Sequence, residues 1–80
     1  MRKITNELIT NFKEYLIDEE KSAATLDKYI RDITVFKEWC EDTELSKSLV
    51  LEYKQEIIDR YAPASVNSII SSLNSFFVYN

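Results

Sequence analysis

The sequence predicts an all-α domain, a compact bundle of four helices, and three observations carry that prediction. Apolar residues recur at intervals of three and four through nearly the whole chain, with no convincing run of the period-two alternation that a half-buried strand requires. Three short breaks, Glu20 to Ser22, Glu41 to Leu45 and Ala62-Pro63-Ala64, divide the pattern into four segments. A Ser or Thr stands near the start of each segment, where a side-chain oxygen can accept from one of the helix-end N–H groups that lack partners.

The first helix is expected from about Thr5 to Glu19, with Thr5 as N-cap and Leu8, Phe12, Tyr15 and Leu16 on one side. The second is expected from about Ala23 to Cys40 behind a Ser22 cap, packing Leu26, Tyr29, Ile33, Phe36 and Cys40 inward. The third runs from about Lys47 to Tyr61 behind Ser46, with Val50, Tyr53, Ile57 and Ile58 toward the core. The fourth starts after Ser65 and reaches about Val78 on Val66, Ile69, Ile70, Leu73, Phe76 and Phe77. Pro63 disfavours helix at Ala62 and marks the last break. The chain has no Gly, so its joints are expected to close in open turns or on Asp and Asn.

Eighty residues make one small domain, spanning 1–80, for which burying enough apolar surface is marginal without well-packed helices. One Trp, five Tyr and four Phe supply large contact areas, so a core is reasonable without disulfide or metal. The single Cys and the lack of His exclude an internal disulfide and a conventional zinc site, and Cys40, on an apolar face, reads as a buried reduced thiol. No cofactor is expected. No apolar run is long enough to span a bilayer and the N-terminus lacks a signal-peptide stretch, which predicts a soluble, cytoplasmic domain with no membrane partner.

One pattern occurs twice. Ser22-Ala23-Ala24-Thr25 leads to Tyr29, Ile33, Phe36 and Trp39, and Ser65-Val66-Asn67 leads to Leu73, Phe76 and Phe77. Each copy sets a polar helix start ahead of a large apolar stripe, so the two starts are expected to face a common anionic partner.

Phe12-Lys13-Glu14-Tyr15-Leu16, Lys21-Ser22-Ala23-Ala24-Thr25, Tyr29-Ile30-Arg31-Asp32-Ile33 with Phe36, Val50 and Tyr53, Ser65-Val66-Asn67, and Leu73-Asn74-Ser75-Phe76-Phe77 follow one another in an order and spacing that resembles the N-terminal core-binding domain of tyrosine recombinases, the phage-integrase family. The resemblance covers nearly the whole chain. It implies a SAM-like orthogonal bundle whose second and fourth helices lie against duplex DNA, as one arm of a clamp used in DNA integration and recombination. It also implies partners: double-stranded DNA, other integrase protomers on that DNA, and a C-terminal catalytic domain in cis, this chain being a fragment of a longer integrase. In the family, strand cleavage uses a Tyr nucleophile assisted by Arg, Lys and His of that catalytic domain. None of that constellation can be assigned here, so the chain by itself is not expected to be an enzyme.

Beside the resemblance, the residues offer two candidate surfaces. Lys21, Thr25 and Lys28 share a flank of the second helix with Arg31 a turn further on, and the N–H groups behind Ser22 point from the same end, a setting suited to a phosphate. The competing reading is structural: Ser22 and Thr25 cap the helix, and Lys28 pairs with Asp32 or Asp27. On the fourth helix Ser65, Asn67, Ser68, Ser71, Ser72, Asn74 and Ser75 fall outside the apolar stripe. Small polar side chains permit close approach to DNA, and Ser65, Asn67, Ser68 and Ser71 are the candidates there. Ser68, Asn74 and Val78 stand where family members often carry Arg or Lys, which weakens the expected phosphate contacts. Arg2 and Lys3 are expected to add nonspecific attraction.

Charge opposes this picture, because fourteen acidic residues against ten basic give a net charge of −4. The alternative is therefore a helical protein-interaction module without nucleic-acid binding, supported by the acidic balance, the uncharged fourth helix and an apolar edge at Phe76, Phe77, Val78 and Tyr79. The mixed charges of the third helix, Lys47, Glu52, Lys54, Glu56, Asp59 and Arg60, read as a solvated outer face.

Overall fold

The computed structural model describes residues 3–79; Arg2, one of the two N-terminal cations, lies outside the described residues. Four helices follow in order, α1 (Asn6–Asp18), α2 (Ala23–Cys40), α3 (Lys47–Arg60) and α4 (Pro63–Tyr79), and no strand occurs among the described residues. α2 packs on both α4 and α1, and α3 packs on α4, which gives a body of 33 × 28 × 18 Å.

Three helices begin as their sequences dictate. The hydroxyls of Thr5, Ser22 and Ser46 accept from the N–H of Leu8 (3.1 Å), Thr25 (3.2 Å) and Leu49 (3.1 Å), three residues on in each case. Two buried residues precede such caps: Ile4 before Thr5 and Leu45 before Ser46. With Ile9 and Val50, which pack against the core, they occupy the two positions of a hydrophobic staple, one residue before the cap and four after it.

The start of α4 differs from expectation. The helix opens at Pro63, two residues before Ser65, and the N–H of Val66 donates to Ala62 O at 3.0 Å. Pro63 therefore sits at the first helical position, where its fixed φ suits the helix and its missing N–H costs nothing. Ser65 lies inside the first turn and is not the cap. The last break is correspondingly shorter.

The joints also depart from expectation, because the left-handed positions fall on Glu rather than on Asp or Asn. Lys21 N–H donates to Leu16 O (3.1 Å) and Glu20 N–H to Ile17 O (3.0 Å), a Schellman closure of α1 with Glu20 at φ 58° where Gly is usual. α2 ends at Glu41, with φ 54° and ψ −124°, a region costly for any residue with a Cβ. Lys21 alone separates the Schellman turn from the Ser22 cap, so α1 passes into α2 with almost no free chain.

Phe12, Leu16, Ile33, Phe36, Ile57, Leu73 and Phe76 are almost wholly enclosed, and Cys40, Tyr53 and Val66 complete the core around them. Phe12 meets Phe76 edge-on at 5.3 Å, and Phe36 lies 4.7 Å from Tyr53 and 5.9 Å from Phe77, so rings from all four helices interlock. Two assignments, those of Ile58 and Ser72, are corrected. Ile58 is 47 % exposed, because Tyr53 and Ile57 define the buried line of α3 and the next residue turns away by 100°. Tyr15 lies on the rim at 39 % exposure. Ser72, assigned to the polar face of α4, is fully buried. The expected apolar edge at the end of α4 is also broken up: Phe76 is buried, Phe77 is half-buried, and Tyr79 folds onto Phe12 and Tyr15, leaving Val78 bare at 86 %.

Candidate nucleic-acid interface

α2 and α4 cross, and the way they cross decides how the candidate residues group. Asp32 meets Ser72, while Lys21 and Tyr29 share a hollow with Asn74, Ser75, Val78 and Tyr79 near the end of α4. Ser65 at the opposite end lies beside Arg31 and Val35. The starts of α2 and α4 therefore line different parts of the α2–α4 face. Ser22 and Arg31 are nine positions apart, about 14 Å along the helix.

A cleft of about 370 Å³ opens between the two helices, with Lys28, Arg31, Asp32 and Val35 on the α2 side, Ser65, Ser68 and Ile69 on the α4 side, and Tyr53 and Tyr61 contributed from α3 and its end. Both walls follow from helical spacing: residues at i, i+3, i+4 and i+7 line one flank. Of the nine predicted site residues, the fold brings Lys28, Arg31, Ser65 and Ser68 together here. Lys21 belongs to the aromatic hollow at the other end, Ser22 and Thr25 stay at the helix start, and Asn67 and Ser71 lie exposed on α4.

The charged groups of the cleft have defined partners or none. Lys28 Nζ donates to Asp32 Oδ2 at 2.5 Å, which bears out the pairing with Asp32 and sets aside Asp27. Ser72 Oγ donates to the same carboxylate oxygen at 2.7 Å, linking residues forty positions apart. Sequence reasoning missed this Asp32–Ser72 bridge, although Asp32 borders the apolar stripe beside Ile33 and Phe36 as Ser72 borders Leu73 and Phe76. Arg31 is exposed and makes no hydrogen bond or ion pair among the described residues. Burial pushes the Tyr53 hydroxyl up to about 12, with Tyr61 and Asp32 adding to the effect, so this phenol is a neutral hydrogen-bonding group at neutral pH.

The helix-two start is less open to a ligand. The Ser22 hydroxyl accepts from Thr25 N–H and donates its single proton to Thr25 Oγ1 at 3.0 Å, so its capacity is taken up locally. Asp18, Glu19 and Glu20 precede it, with Lys21 between. The neighbouring Tyr15 hydroxyl donates to Glu19 at 3.3 Å, and that carboxylate raises its pKa. The net positive end of this face is therefore the cleft around Arg31. Among the described residues no cluster of His, Cys, Asp and Glu is placed to hold a metal ion, and no helix is long and apolar enough to cross a membrane.

Comparison with known proteins agrees with this architecture. The family model for the phage integrase N-terminal SAM-like domain matches residues 9–80. The chain is 31% identical over 81 residues to the tyrosine recombinase XerC of Treponema denticola, an alignment covering 92% of this chain and 27% of that protein. The chain thus spans about a quarter of the length of the relative it matches. No solved structure matches significantly. With four helices in the expected order and a family match running from α1 through α4, the chain belongs to the SAM-like N-terminal domains of the phage integrase family of tyrosine recombinases.

Proposed function

We propose that this domain is the DNA-binding arm of a site-specific tyrosine recombinase, holding one side of duplex DNA while a C-terminal catalytic domain outside this chain cleaves and rejoins the strands. The observation that carries the reading is the cleft, in which two cations of α2, Lys28 and Arg31, face two hydroxyls of α4, Ser65 and Ser68. Charge and hydroxyl donors on two helices suit the phosphate backbone, and the exposed Asn67 and Ser71 extend the same helix toward the groove. Lys21, with Ser22 and Thr25, forms the outer part of the footprint, Ser22 standing about 14 Å from Arg31. Other integrase protomers and the catalytic domain are the protein partners of this reading.

A second reading, a helical protein-interaction module without nucleic-acid binding, draws on Leu51, Ile58 and Tyr61, which are 56 %, 47 % and 47 % exposed along α3 and its end. An amide chemical-shift titration with a mixed-sequence duplex at several salt concentrations separates the two. DNA binding through this face moves resonances around residues 28–31 and 65–71, weakens with log affinity falling about 0.9 per phosphate contact per log unit of salt, and is strongly reduced by Arg31→Glu. Binding that ignores both salt and Arg31→Glu would sink the assignment of the cleft.

A further inference from the structure

We propose that Asp32 is a built-in attenuator of the cleft, a fixed negative charge that holds Lys28 back from a phosphate and thereby sets the strength of DNA binding. The inference rests on the DNA-binding reading above. An exposed lysine and a carboxylate four residues on usually form a loose pair that water and salt dissolve easily. Here the carboxylate cannot swing away. Asp32 is 9 % exposed, Ser72 is fully enclosed, and the Ser72 hydroxyl fixes the same oxygen, Oδ2, that receives Lys28. The anion is thus part of the cleft wall, set by a residue of the facing helix, and only Lys28, whose side chain is 34 % exposed, has freedom to move. A phosphate entering beside Arg31 meets one free cation, one committed cation and one carboxylate that repels it.

Asp32→Asn isolates the charge. The amide oxygen still accepts from Ser72 and the side chain keeps its volume, but Lys28 is released. The variant is expected to bind a mixed-sequence duplex about ten-fold more tightly at 50 mM salt, with a log–log salt slope steeper by about 0.9, so that the gain shrinks about 3.5-fold by 200 mM. On a Lys28→Ala background the added slope disappears, a coupling that a merely structural role for Asp32 does not produce. The measurement is duplex affinity by fluorescence anisotropy for the wild type, both single variants and the double variant, each first checked for a native amide spectrum. Should Asp32→Asn not fold, the Asp32 side-chain carboxyl 13C resonance of the wild type is followed during the DNA titration, and a shift as Lys28 transfers to phosphate is expected. A wild type that binds in a salt-dependent way while Asp32→Asn binds equally or more weakly, or a carboxyl resonance that stays still, overturns the attenuator and leaves the DNA-binding reading intact. If neither protein binds the duplex, that reading falls and the attenuator falls with it.

Discussion

Ser71 and Ser72 are neighbours of identical chemistry, one exposed and one fully buried, and the same substitution in each is expected to move stability in opposite directions. Ala is the better helix former by about 0.5 kcal/mol, so Ser71→Ala should stabilise the domain by about that much. Ser72→Ala gains the same propensity but loses a 2.7 Å hydrogen bond to the Asp32 carboxylate, and bonds to charged groups contribute about 1.5–3 kcal/mol. Its net cost is about 1–2.5 kcal/mol, a large share of the roughly 4–12 kcal/mol on which a domain of this size rests. In a domain of this length each kcal/mol corresponds to about 4–8 °C, so Ser72→Ala should lower Tm by about 4–20 °C while Ser71→Ala raises it by about 2–4 °C. Urea unfolding followed by far-ultraviolet circular dichroism reads both variants on one scale. If the two proteins differ by less than about 0.5 kcal/mol, the Ser72–Asp32 bond contributes nothing and the account of how α2 is held against α4 is wrong.

Two further outcomes follow from the joints and the buried acids. Glu41→Gly should raise stability by about 1 kcal/mol by relieving backbone strain at φ 54° and ψ −124°, and Glu20→Gly should do the same to a similar extent; thermal unfolding of each checks it, and an unchanged or lower Tm counts against the strained joints. Burial pushes Cys40 up to about 11 and Tyr53 up to about 12, so above pH 9 the folded chain holds these protons more tightly than the unfolded chain does. Their contribution is complete below pH 9 and is lost as pH rises through 11 and 12, so urea midpoints should fall across that window. In Tyr53→Phe the fall above pH 10 should be shallower, and an equally steep fall would show that other groups cause it.

The helices were legible because their signals are local. Thr5, Ser22 and Ser46 each precede an apolar run by a fixed interval, and their caps formed where the pattern put them. Ser65 failed for an equally local reason: Pro63 at the first helical position is itself a start signal and outweighs a serine two residues later. Ile4 and Leu45 were readable too, since an apolar residue directly before a cap is half of a staple. The cleft was only partly legible. Periodicity places Lys28, Arg31 and Asp32 on one flank and Ser65, Ser68 and Ser72 on another, yet which flanks meet, and in which direction, depends on how α4 crosses α2. That is a tertiary fact, and it turned Ser72 from a surface residue into the partner of a carboxylate.

The end of α4 has a mechanical consequence. Tyr79 donates to the Asn11 carbonyl oxygen at 3.3 Å and sets its ring 4.7 Å from Tyr15, closing a circuit between positions 68 apart in the chain. A helix end held by its own hydrogen bonds frays one residue at a time, because each released amide is taken up by water. Here the last turn is fastened to α1, so a pull on residue 79 is carried in parallel by α4 and α1, and must break a lateral attachment before it can peel the helix. α1 enters α2 through the single-residue joint at Lys21, and the load passes straight on into the helix that carries Lys28 and Arg31.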